Sequence, residues 1–150
     1  MKTYEITDGD LLISDDKARL DHALIHGFLS GRSYWAQGVP RETVERSMEH
    51  SLCFGLYKAG RQIGFARAVT DRATFAWLAD VFIVEEERGK GFSKRFLAGI
   101  FAHPALQGLR LFMLGTRDAH TLYERFGFTP LKHVERFMEI RAQNSYKSVS

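Results

Sequence analysis

Arg88, Gly89, Lys90, Gly91, Phe92, Ser93 and Lys94 form a basic, glycine-containing turn between an apolar run (81–84) and a stretch whose apolar residues recur at helical spacing. Strand, glycine turn and helix together make an anion-binding arrangement. The free N–H groups of a helix's first turn point outward, the macrodipole is positive there, and glycines let the backbone approach a phosphate. Arg95 adds a further positive charge to Arg88, Lys90 and Lys94. The spacing excludes two nucleotide fingerprints. Gly89 and Gly91 are separated only by Lys90, which does not fit a Walker loop, and no glycine between Gly91 and Gly99 completes a dinucleotide fingerprint.

Other residue types could also do chemistry. Asp80 stands inside a strongly apolar run, where a carboxylate is costly unless paired. Its expected partner is Arg67, one hairpin away; an acceptor-binding or proton-accepting role is compatible with that pairing. Tyr34 and Trp35 lie in a loop (30–38) flanked by glycines, either contacting a ligand or capping the core. With Trp77 and Asp80 they could build an aromatic, acidic pocket for a cationic amine. His22 and His26 are four apart, but no third ligand is near in sequence, so no metal site is expected. Cys53, in an apolar run without a basic neighbour, is expected to be an inert core thiol.

The elements that must position these groups follow from periodicity. An opening strand is expected at 10–14 after the turn signal at Asp8, Gly9 and Asp10, then a helix capped by Asp15 or Asp16 with Leu20, Leu24 and Phe28 as its stripe. Pro40 opens a second helix with Val44 and Met48 inward. Residues 52–58 and 61–71 read as a hairpin. Residues 75–84 read as a central strand covered on both faces, because both parities are apolar. Phe92, Phe96, Leu97, Ile100 and Phe101 mark the helix after the basic turn. Residues 109–115 are a strand, Ala119, Leu122, Tyr123 and Phe126 a short helix closed by Gly127, and 134–140 a last strand. By spacing alone Tyr123 is an ordinary core residue.

The turn resembles the pyrophosphate loop of the GNAT acetyltransferase superfamily, Arg/Gln-x-x-Gly-x-Gly/Ala, at Arg88, Gly91 and Ser93, with Ser93 in place of Gly or Ala. Residues 116–128 resemble a second segment of that superfamily, Asn-x-x-Ala-x-x-Leu-Tyr-x-x-x-Gly-Phe, with Thr116 replacing the Asn. The resemblance implies an α/β fold with a central, mostly antiparallel sheet of six to seven strands and helices on both faces. It also implies an acetyl-CoA-dependent N-acetyltransferase in which an amine attacks the thioester directly, with no metal. Backbone N–H groups of residues 88–94 would hold the pyrophosphate, and Phe82, Ile83 and Val84 would pair with the pantetheine arm. Thr116 would contact that arm, and Tyr123 would protonate or stabilise the departing thiolate. Leu78, Ala79 and Asp80 match a Leu-Glu-Asp run of some small-amine members, with the Glu missing, so Asp80 carries over only as its second acid. The acceptor is expected to be a small amine. A peptide or protein amine, or a non-catalytic acetyl-CoA sensor or scaffold, stays open.

Composition is that of one ordinary globular domain spanning 1–150, with 45% apolar and 26% charged residues and a polar, flexible tail at 141–150. A net charge of +3 suits an anionic ligand and argues against a nucleic-acid binder. One cysteine, no apolar leader within the first sixteen residues and no membrane-length run lead to an expected cytoplasmic location. A homodimer is left open.

Overall fold

The computed structural model describes residues 2–143 and 146. Six strands make one sheet in chain order: β1 (Glu5–Asp8), β2 (Leu11–Ser14), β3 (Leu52–Lys58), β4 (Arg61–Thr70), β5 (Phe75–Ile83) and β6 (Leu111–Leu114). Neighbours are antiparallel except β5 and β6, which run parallel. The helices are α1 (His22–Gly31), α2 (Arg41–Glu49), α3 (Phe92–Phe101) and α4 (His120–Glu124).

Cross-strand partners share a face, so the ladder shows what each face carries. Ile13, Leu56, Gly64 and Ile83 lie in one row. The helix α3 covers that face, and Gly99 passes so near that a Cβ there would meet Ile13 Cδ1 at 2.5 Å. Phe65 and Phe82 are partners on the opposite face, where Phe28 of α1 stacks on Phe82 with ring centroids 3.9 Å apart. Helices therefore flank both faces. At the end of α3, His103 Nε2 meets Asp15 Oδ2 at 2.9 Å, while Ala105 N–H donates to His103 Nδ1. An acceptor Nδ1 puts the ring proton on Nε2, so the ring donates to Asp15 and ties α3 to the end of β2.

Two features of β5 open the sheet. Its pairing with β6 runs only from Phe75↔Leu111 to Leu78↔Leu114, after which the strands part. Phe65 then faces Phe82 and Arg67 faces Ala79, so Asp80 and Val81 together oppose Ala66 in a bulge. Asp80 sits at φ 56°, a left-handed conformation that Asp tolerates better than most residues.

Several expectations are corrected. The opening segment is a hairpin, because residues 5–8 also pair with β2. Asp16 caps only a 3-10 turn (Lys17–Arg19), and it is Asp21 that caps α1, accepting from Leu24 N–H at 3.0 Å. The strand expected to be covered on both faces is so at its end, where Phe82 and Ile83 are both buried, whereas at its start one face is open and Trp77 is 38% exposed. The strand expected at 109–115 is trimmed to β6. Residues 134–140 form no strand: Val134–Arg136 make a 3-10 turn, and the residues after it run on without a ladder partner. Alternating apolar residues report β propensity, whereas a strand also needs a neighbour for its backbone groups. The tail expected at 141–150 falls largely outside the described residues.

Candidate active site

The basic turn closes β5 onto α3. After a 3-10 turn (Glu85–Glu87), Gly89 and Gly91 take φ 77° and 79°, and Gly91 is the N-cap of α3 without any side chain to satisfy the first-turn N–H groups. Those donors point out of the helix with the positive end of its dipole. The four basic side chains do not converge on them. Lys90 Nζ lies 3.0 Å from Glu87 Oε1, which also takes Lys58 Nζ at 3.1 Å. These bonds, the one from Lys90 first, hold the Glu87 carboxyl below its ordinary range. Arg95, expected to add charge at the turn, reaches instead to Asp8 at 2.8 Å and fastens α3 to the β1–β2 turn. Lys94 has no ion pair among the described residues. Ser93 is half-buried and Phe92 buried.

Val84 N–H donates to Ile63 O across the β4 ladder. Strand alternation then directs the Ile83 peptide groups away from β4, toward the opening left by β6. Arg88 Nε donates to that Ile83 carbonyl at 2.9 Å. Arg88 and Arg32, the residue after α1, both lie 5.8 Å from the Phe28 ring centre, and Arg32 pairs with Glu85 at 3.3 Å.

The loop after α1 spans the opening. Trp35 Nε1 donates to Asp80 Oδ1 at 2.8 Å, and Arg67 Nε donates to Asp80 Oδ2 at 3.0 Å. Arg67 also donates to Ser51 Oγ at 3.1 Å. The expected Arg67–Asp80 pair is thus present, with both carboxylate oxygens engaged and the Asp80 side chain only 12% exposed. On the other side, Arg117 N–H donates to the Tyr34 hydroxyl at 3.1 Å and its guanidinium lies 3.8 Å from the Tyr34 ring centre. Tyr34 and Trp35 pack edge to face at 5.0 Å. Trp77 stands apart from this group and leans toward Gly115 at the end of β6.

Tyr123 on α4 is buried, and its hydroxyl has no hydrogen-bond partner among the described residues. Burial first, and then the Tyr34 phenol, push its pKa up to about 12, which keeps it a proton donor at neutral pH. Thr116 Oγ1 accepts from Ala119 N–H at 3.0 Å, leaving its hydroxyl proton to donate. A groove of ≈ 1110 Å³ contains Thr116 and Tyr123 but none of residues 88–94, so it is not the space between the turn and the loop.

Sheet order, the parting of β5 from β6, the uncapped helix after the glycine turn and the tyrosine on α4 give a frame that can be matched to known proteins. The family model described as "Acetyltransferase (GNAT) domain" matches residues 49–130, more than half of the chain. The chain belongs to the GNAT acetyltransferase family. It is 33% identical over 144 residues to the curated Gibberella zeae protein named "Putative acetyltransferase FG08082", covering 81% of this chain and 80% of that one. A solved Xanthomonas campestris pv. campestris structure, described as "a putative acetyltransferase belonging to the gnat family", is 47% identical with a TM-score of 0.89, covering 92% of this chain and 97% of its own. A Staphylococcus aureus structure at 20% identity and TM-score 0.69, covering 88% and 99%, shares the fold.

Like other GNAT domains, this one implies acetyl-CoA as cosubstrate. The turn fits a pyrophosphate: Arg88 N–H donates to the Glu85 carbonyl at 3.1 Å, but Gly91 gives the first turn of α3 no side-chain cap, and a Cβ at Gly89 or Gly91 would meet nothing within 4 Å, so the approach is open. Cys53 is buried with its pKa pushed to about 11 by burial, the state of a structural thiol. His22 and His26 bond to Glu45 and to the Val39 carbonyl. Among the described residues no helix is long and apolar enough to cross a membrane.

Sequence reasoning missed Arg117, Arg32 and Ser51. Arg117 and Arg32 act through contacts that join the loop to distant segments, and nothing local in the sequence marks them.

Proposed function

We propose that this GNAT domain is an acetyl-CoA-dependent N-acetyltransferase in which a primary amine of a small molecule attacks the thioester directly. The observation that carries the reading is the loop anchored at both ends of the opening, on Asp80 by Trp35 and on Arg117 by Tyr34, with the Tyr34 phenol near enough to the unpartnered Tyr123 to raise its pKa. In it the N–H groups of residues 89–94 hold the pyrophosphate and the Ile83 backbone, which faces away from β4, pairs with the pantetheine amides, Arg88 releasing the Ile83 carbonyl on binding.

An alkyl ammonium, with a pKa near about 10.4, must shed its proton before attack. Both oxygens of Asp80 already accept hydrogen bonds, so its part is to hold the loop and favour a cation at the mouth, and the proton passes to solvent. The amine nitrogen bonds to the acetyl carbon, the carbon–sulfur bond breaks, Tyr123 donates its proton to the sulfur, and the proton that the new amide nitrogen sheds passes to solvent, from which Tyr123 is reprotonated. Arg117 already covers one face of Tyr34, which leaves Trp35 as the aromatic surface that the loop offers the acceptor.

The test is acetyl transfer from acetyl-CoA to a panel of small amines and to peptides, read as amide mass and released thiol, in wild type and Tyr123→Phe. Tyr123→Phe is expected to lower kcat by roughly 10²-fold, the range of a lost general acid, with acetyl-CoA affinity unchanged. Product from peptides alone, or equal turnover by the variant, would overturn the acceptor class or the role of Tyr123 respectively.

A further inference from the structure

Four side chains follow one another across the opening in the order Asp80, Trp35, Tyr34, Arg117. Trp35 Nε1 donates to Asp80 at 2.8 Å, Trp35 and Tyr34 pack edge to face at 5.0 Å, and the Arg117 guanidinium lies 3.8 Å from the Tyr34 ring centre. The charges along this row are met unequally. Asp80 is matched by Arg67 at 3.0 Å, and Arg32, after α1, by Glu85 at 3.3 Å. Arg117 is exposed and has no ion pair among the described residues, although Asp118 follows it in the chain.

This unmatched guanidinium is nevertheless fixed in place. Its own backbone N–H donates to the Tyr34 hydroxyl at 3.1 Å, and stacking on the ring sets its plane. Stacking uses the face of a guanidinium and leaves its edge donors free, the fork that grips a carboxylate through two parallel hydrogen bonds. Tyr34 also brings Arg117 near the chemistry, since its phenol is close enough to Tyr123 to raise that group's pKa. Resting on the N-acetyltransferase reading above, we infer that the acceptor is an amino acid, whose amine attacks the thioester and whose carboxylate is bound by Arg117. The amine end then lies toward Asp80, and the Trp35 and Tyr34 rings, 41% and 46% exposed, are open to the carbon skeleton between the two groups.

The test is kcat/KM for a panel of amino acids, each beside its own carboxamide, in wild type and Arg117→Gln, with acetyl-CoA affinity followed by calorimetric titration. Gln keeps the backbone donor to Tyr34 and removes the charge. Comparing the two proteins within one acid–amide pair cancels the difference in amine basicity between acid and amide. Arg117→Gln is expected to lower kcat/KM for the acid by roughly 10- to 100-fold, chiefly through KM, the range of a lost charged hydrogen bond. The carboxamide and the acetyl-CoA affinity are expected to be unaffected. If Arg117→Gln melts without cooperativity, Arg117→Lys, which keeps the charge but not the fork, is expected to show the same selective loss at smaller size. Equal losses for acid and carboxamide would make Arg117 a support of the loop, and weakened acetyl-CoA binding would make it a cosubstrate contact; either overturns the inference. So does a wild type that acetylates plain amines and no amino acid. These outcomes leave the N-acetyltransferase reading standing, whereas no product from any amine or peptide would overturn that reading and this inference with it.

Discussion

Asp80 is the residue on which several constraints meet: a left-handed backbone, a bulge, a pair with Arg67 and the anchor of Trp35. Its ion pair was legible from two residues one hairpin apart. The bulge and the bond to Trp35 were not, since they arise from a register shift and a loop path that no local pattern encodes. Asp80→Asn keeps an acceptor for Trp35 and a residue that tolerates φ 56°, while removing the charge opposite a mostly buried Arg67. The pair lies between the exposed and buried limits, so a loss of about 2–3 kcal/mol is expected. For a domain of this size that is a fall of roughly 5–10 °C in Tm, checked by calorimetry beside turnover. An unchanged Tm with abolished turnover would instead make Asp80 the base.

The β5–turn–α3 unit depends on a backbone conformation and a carboxylate. Residue 91 has room for a side chain but a φ of 79°, so Gly91→Ala is expected to cost about 1–2 kcal/mol of backbone strain. Relaxation of that strain would displace the α3 donors, and calorimetric titration should show acetyl-CoA binding weakened more than stability. Glu87, held low by Lys90 and Lys58, titrates with a definite sign. A carboxyl whose folded pKa is depressed stabilises fully above its unfolded value, about 4.3, and that contribution is lost as pH falls through the folded value. Melting curves below about pH 5 should therefore fall less steeply with acidity in Glu87→Gln than in wild type. The turn itself was readable, because strand, glycines and helix are local signals. The diversion of Lys90 and Arg95 was not, because it depends on Glu87 being buried and Asp8 being brought next to α3 by sheet pairing.

For the whole molecule, five of the six strands, the β3–β4 hairpin and the helices around the site follow from periodicity and turn residues. The correction at 134–140 is of another kind: the pattern is that of a strand, but among the described residues it has no ladder partner. The parting of β5 and β6 was equally illegible, since it is a relation between two strands far apart in sequence; in the proposed reading it makes room for acetyl-CoA. The reaction proposed for this GNAT domain rests on acetyl-CoA occupying that opening. The most direct measurement is the melting temperature with and without acetyl-CoA. A ligand bound only by the folded state at about a hundred times its Kd stabilises by about 2.7 kcal/mol, which predicts a rise of roughly 5–10 °C. No shift at millimolar acetyl-CoA would contradict the account.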